Sequence, residues 1–211
     1  MTTMRRLSAL ALLVLPAPAL AAQSAVGGAL TPPETGAVLT IQPESRLWIE
    51  GTSTVRDFRC DATRVDGAVE LDPARPSIAV ADLQQSVRAV RLDIAVADLD
   101  CRNNTMNDHM RKALKADQNP GIAYRMTTYQ LEVQEGGDGV ATLEGELTIA
   151  GTTQPVTIGA TVAPGPDGTL KVQGSKEIIM TDFGVNPPKL MMGALKVNPR
   201  VVVHFDVVLK Q

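Results

Sequence analysis

The sequence predicts an all-β protein: a closed antiparallel barrel of about eight strands, crossed by a single α-helix. Three observations carry this reading. Apolar and polar residues alternate one by one through most of the chain after residue 37, which is the period of a half-buried strand. The separators between the alternating runs are mostly short and rich in Gly, Pro and Asp, which favours antiparallel neighbours over parallel crossovers. A convincing helical period falls in one segment alone, Asn103 to Lys115. A sheet of this size removes its free edges by curling shut, and the interior of a small barrel is either filled by side chains or wide enough for one slim guest.

The elements follow in order. Arg5 and Arg6 precede an apolar run from Leu7 to Leu15, and Ala19-Leu20-Ala21 supplies a small-residue cleavage pattern, so residues 1–21 read as a secretory signal peptide. The apolar run is shorter than the roughly 20 residues a membrane span needs. Residues 22–36, rich in Ala, Gly and Pro, form a flexible lead-in, and 37–211 form one domain. The expected location is periplasmic or secreted.

The first strand covers Ala37 to Ile41 and the second Arg46 to Thr54, where Leu47 and Ile49 share one face and Trp48 and Glu50 the other. After a turn at Val55 to Arg59, Thr63 to Leu71 is the third. Val87 to Val96 places Val90, Leu92, Ile94 and Val96 on one side, with Arg91 and Asp93 on the other. The helix stacks Met106, Met110 and Leu114 as one stripe, leaves Asp108, Arg111 and Lys112 facing away, and stops at Asn119-Pro120-Gly121. Strands then run over Ile122 to Val133, Val140 to Ile149, Gln154 to Val162 and Thr169 to Ile179. A Pro187-Pro188 loop carrying Met191, Met192 and Gly193 leads to the last strand, Val201 to Leu209.

Charge and motifs narrow the function. The formal charge of −3 becomes −5 once Arg5 and Arg6 are cut away, and it is scattered, so no basic patch points to nucleic acid or acidic lipid. Cys60 and Cys101 are the two cysteines, and an isolated pair in an oxidising compartment forms a disulfide. The alternative, a redox or metal pair, normally shows closer spacing. Of the two histidines, His204 alternates with the apolar face of the last strand and points outward, while His109 sits on the polar part of the helix as a surface or capping residue. There is no nucleophile elbow, zinc-protease helix or phosphate loop, so neither a catalytic residue, a metal nor a cofactor is expected.

Aromatic residues make up 3% of the chain, which favours room inside the barrel. The inward set comprises Leu47, Ile49, Leu92, Ile94, Leu147, Ile158, Val172 and Phe205. Adaptable thioethers at Met106, Met110, Met126, Met180, Met191 and Met192 suit a soft lid around an apolar guest, although ordinary core filling under a helix accounts for them as well.

Three motifs resemble the YceI-like family of exported, lipocalin-like proteins: Met106-Asn107-Asp108-His109-Met110 through Leu114-Lys115-Ala116 and Asn119-Pro120, the run from Leu147 to Ile158, and Met180-Thr181-Asp182-Phe183-Gly184-Val185 before Pro187-Pro188. The cysteine pair and the segment from Ser45 to Cys60 look like a cysteine-containing branch. The resemblance implies a non-enzymatic carrier whose partner is a lipid-like small molecule, a polyisoprenoid among them, bound by the inward set together with Met106, Met110, Leu114, Met126, Met180, Phe183 and Met191. The competing reading is a filled barrel acting as a structural protein of the cell envelope, docking an envelope partner through Trp48 or Met191 and Met192. A homodimer is compatible with either.

Overall fold

The computed structural model describes residues 36–190 and 194–211, with backbone alone for residues 189 and 190. The expected signal peptide, all but the last residue of the lead-in, and Met191 to Gly193 lie outside the described residues. The strands are β1 (Val38–Ile41), β2 (Arg46–Ser53), β3 (Phe58–Ala62), β4 (Asp66–Leu71), β5 (Val87–Ala95), β6 (Leu99–Asp100), β7 (Gly121–Val133), β8 (Gly139–Ile149), β9 (Thr152–Pro164), β10 (Leu170–Ile179), β11 (Lys189–Leu190) and β12 (Leu195–Lys210). Two α-helices, α1 (Leu83–Ser86) and α2 (Asn104–Ala113), complete the set.

All pairings are antiparallel, and they close into an eight-walled barrel because three walls are made of two strands laid end to end. β1 and β2 both lie along β12, Ile41 opposite Leu209 and Phe205 opposite Leu47. β4 continues from β1 and β3 from β2. β5 and β6 then border β4 and β3. β7, β8, β9, β10 and β12 follow as single long walls. The tight β8–β9 connection turns on Ala150 (φ 50°) and Gly151 (φ 80°), the left-handed pair that matches strand twist.

One end of the barrel is packed solid by Leu39, Leu71, Val80, Leu83, Leu170 and Leu209, with α1 beneath it. Leu114, from the turn that closes α2, packs at the other end against the buried cluster of Ala150, Ile178, Phe183, Val185 and Val201. α2 is started by Asn103, whose side chain accepts from the Met106 N–H at 3.0 Å.

Three details differ from the expectation. The segment assigned to a turn at Val55 to Arg59 already enters β3 at Phe58, and the following strand starts at Asp66 rather than Thr63. The cause is pairing: Ile49 opposite Cys60 extends the sheet beyond what local alternation reveals. α1 and β6 are too short to show a period. The last strand begins at Leu195, six residues early, and absorbs Pro199 in an irregularity between Val197 and Val201, where a missing N–H is tolerated.

Candidate functional site

Between the packed end and α2 the barrel encloses a cavity of about 620 Å³. Inward positions of every wall contribute to it, because strand alternation sends each second residue to the axis. Of the residues named from sequence, Leu47, Ile49, Leu92, Ile94, Met106, Met110, Leu114, Met126, Leu147, Ile158, Val172, Met180, Phe183 and Phe205 all line this one space. Met191 lies outside the described residues. The alternative of a barrel filled from wall to wall is not what the chain adopts, and the volume falls within the roughly 300–1,000 Å³ of small-molecule sites.

Glycine is part of how the room is made. A Cβ on Gly145 would sit 2.7 Å from the Tyr124 ring, so the absent side chain lets that ring lie against β8. Tyr124 itself is 5% exposed, and its hydroxyl has no hydrogen-bond partner among the described residues. Burial pushes its pKa up to about 12. The neighbouring Tyr129 is satisfied by contrast, donating to the Leu83 carbonyl at 2.6 Å and so tying β7 to α1.

The disulfide between Cys60 and Cys101 is part of the wall, joining β3 to the segment that enters α2. Asn107, buried in α2, reinforces the same corner. Its Oδ1 accepts from the Cys101 N–H at 2.8 Å, and its Nδ2 donates to Asp100 Oδ1 at 2.8 Å. That donation, together with the Arg102 N–H, lowers the Asp100 pKa. The Met110 thioether lies 3.8 Å from the Cys101 sulfur.

His109 was expected on the polar part of the helix, yet it lines the cavity. The helical turn of 100° per residue brings it beside Met106 and Met110, a position the Met stripe could have signalled. His204 faces outward as expected. It stacks on Trp48 at 5.1 Å between ring centroids, and Trp48 donates to Glu50 at 3.0 Å while the Arg59 guanidinium lies 4.6 Å over the indole. Trp48 is therefore held by its own neighbours on the outer wall. Sequence reasoning also missed Lys176, Tyr124, Tyr129 and Phe58 in the cavity wall. Among the described residues no group of His, Cys, Asp and Glu is placed to hold a metal ion, and no helix is long and apolar enough to cross a membrane.

A family model described as YceI-like domain matches residues 40–209, nearly the whole barrel. The chain belongs to the YceI-like family. Solved structures share the fold at low identity. BcnA of Burkholderia cenocepacia is 20% identical with a TM-score of 0.60, covering 78% of this chain and 95% of its own. A polyisoprenoid binding domain from Saccharophagus degradans, implicated in plant cell wall breakdown, is 13% identical with a TM-score of 0.62, covering 82% and 98%. The YceI protein of Campylobacter jejuni is 18% identical with a TM-score of 0.52, covering 72% and 84%. No curated protein sequence matches the chain.

Proposed function

We propose that this protein is an exported carrier that holds an amphiphilic, lipid-like molecule inside the barrel without covalent chemistry. The observation that carries the reading is the cavity of about 620 Å³, walled almost entirely by apolar side chains. Ten methylenes sheltered there would contribute up to about 8 kcal/mol, the free energy of micromolar affinity before the costs of ordering the chain. A polyisoprenoid is one such chain, and the polyisoprenoid binding domain from Saccharophagus degradans supports that choice. Export is supported by the Arg5-Arg6, Leu7 to Leu15 and Ala19-Leu20-Ala21 pattern and by the disulfide. The guest lies against Leu47, Ile49, Leu92, Ile94, Leu147, Ile158, Val172 and Phe205, with Met106, Met110, Leu114, Met126, Met180 and Phe183 adapting to its shape.

Native mass spectrometry of protein purified from its own source, with lipid extraction in parallel, tests this. A bound species in the mass range of a long acyl or prenyl chain is the expected result. Protein that is consistently ligand-free and takes up neither prenyl nor acyl probes would refute it.

A further inference from the structure

The cavity wall carries cationic side chains, Arg56, Arg91 and Lys176, but no Asp or Glu among the described residues. The whole chain has the opposite balance, with 23 acidic residues against 20 basic ones. Two of the three cations are explained by their surroundings. Arg56 is exposed on the β2–β3 turn, and the exposed Arg91 faces Glu70 at 3.6 Å.

Lys176 is different. Along β10, Lys171, Gln173, Ser175 and Glu177 are exposed, whereas Leu170, Val172, Lys176 and Ile178 line the cavity. The outward neighbours are paired, Lys171 with Asp206 at 3.5 Å and Glu177 with Arg200. Lys176 has neither a carboxylate partner nor a hydrogen bond among the described residues. Its register neighbours across the next three walls are Val203, Ile49 and Cys60, none of which can compensate a charge. A cation in such surroundings costs desolvation unless something pairs with it, and a barrel with a merely structural core would be better served by Leu or Met.

We propose that the guest is an anionic single-chain amphiphile whose carboxylate or phosphate head group is held by the Lys176 ammonium. The inference rests on the carrier reading above and names the chemistry of its guest. Lys176 stands one inward position from Ile178, in the cluster with Phe183 and Leu114, and three from Leu170 at the packed end. The head group therefore lies toward α2, with the apolar tail extending toward Leu39 and Leu83.

Chain-matched ligands test it: palmitate against hexadecanol, and farnesyl phosphate against farnesol, titrated into wild type, Lys176→Met and Lys176→Arg. A charged hydrogen bond should make the anions bind wild type about 10- to 100-fold tighter than the alcohols. Lys176→Met should bring that ratio close to unity and Lys176→Arg should keep it. Which anion shows the larger ratio identifies the head group. The readout is a ratio within one protein, so a general loss of affinity in a variant leaves it intact. Wild type with no preference for the anions, or Lys176→Met with an unchanged ratio, overturns the proposal while the carrier reading stands. Failure of wild type to bind any of the four ligands overturns both.

Discussion

Tyr124 shows how one residue records the tension between packing and polarity. Its ring fills a place on the inner wall that Gly145 leaves open, but its hydroxyl is buried with no hydrogen-bond partner among the described residues. Such a group costs about 1–3 kcal/mol. Tyr124→Phe should therefore stabilise the ligand-free protein by an amount of that order, measured by urea unfolding at neutral pH. The same substitution should alter the alkaline limb. The pKa of Tyr124 is raised from 10.0 to about 12 in the folded protein, so only the unfolded chain loses its proton across that interval. Stability is complete below pH 10 and falls as pH rises toward about 12. Part of that fall should disappear in Tyr124→Phe. A variant less stable than wild type at neutral pH would show that the hydroxyl is already satisfied.

At the scale of elements, the β3, β6 and α2 corner decides whether the mouth of the barrel holds its shape. β6 contributes two residues and, among the described residues, pairs with β3 alone, so it has little sheet of its own to rely on. The Cys60–Cys101 disulfide and the two hydrogen bonds of Asn107 supply what the ladder lacks. The disulfide closes a loop across a separation of 41 residues, for which loop-closure entropy gives about 4 kcal/mol. Joint replacement of Cys60 and Cys101 by Ser should cost up to that amount in denaturant unfolding. Hydrogen exchange should quicken first in α2, since its N-terminal turn follows directly on Cys101. A double variant with unchanged midpoint and unchanged exchange in α2 would show that the hydrogen bonds of Asn107 suffice.

For the whole molecule, the division into a packed end and an open interior is what separates a carrier from a solid barrel. Binding to the folded state alone adds stability by mass action, about 2.7 kcal/mol at a ligand concentration 100 times Kd. For a chain of this size that corresponds to a rise in Tm of roughly 5–10 °C. Ile158 lies on β9 with its side chain at the cavity wall, so Ile158→Trp should occupy the space a guest needs. The expected outcome is a variant that folds, by circular dichroism, yet loses most of the ligand-induced shift in Tm. An undiminished shift in that variant would place the guest elsewhere on the molecule.

The period of two, the turn residues and the single Met stripe were enough to determine an all-β barrel with one crossing helix, and to name inward residues on six walls. Alternation is a local property of a strand, so Leu47, Ile94, Ile158 and Phe205 could be assigned to the inside without knowledge of their partners. Pairing is not local. That β3 begins at Phe58 and that β6 exists at all depends on strands Ile49 and Ala62 bring alongside, and no window of sequence contains both sides of a ladder. Lys176 was missed because a polar residue in an alternating run reads as an outward position by default. Yet it stands an even number of residues from Val172 and Ile178 on an unbroken strand, so the same local alternation already places it on their inward face. Whether the apolar faces would meet or stand apart was beyond the sequence, since the same side chains can fill a barrel or line it. The tertiary structure decided that question through the number of walls and their closure, which set a diameter the side chains do not fill.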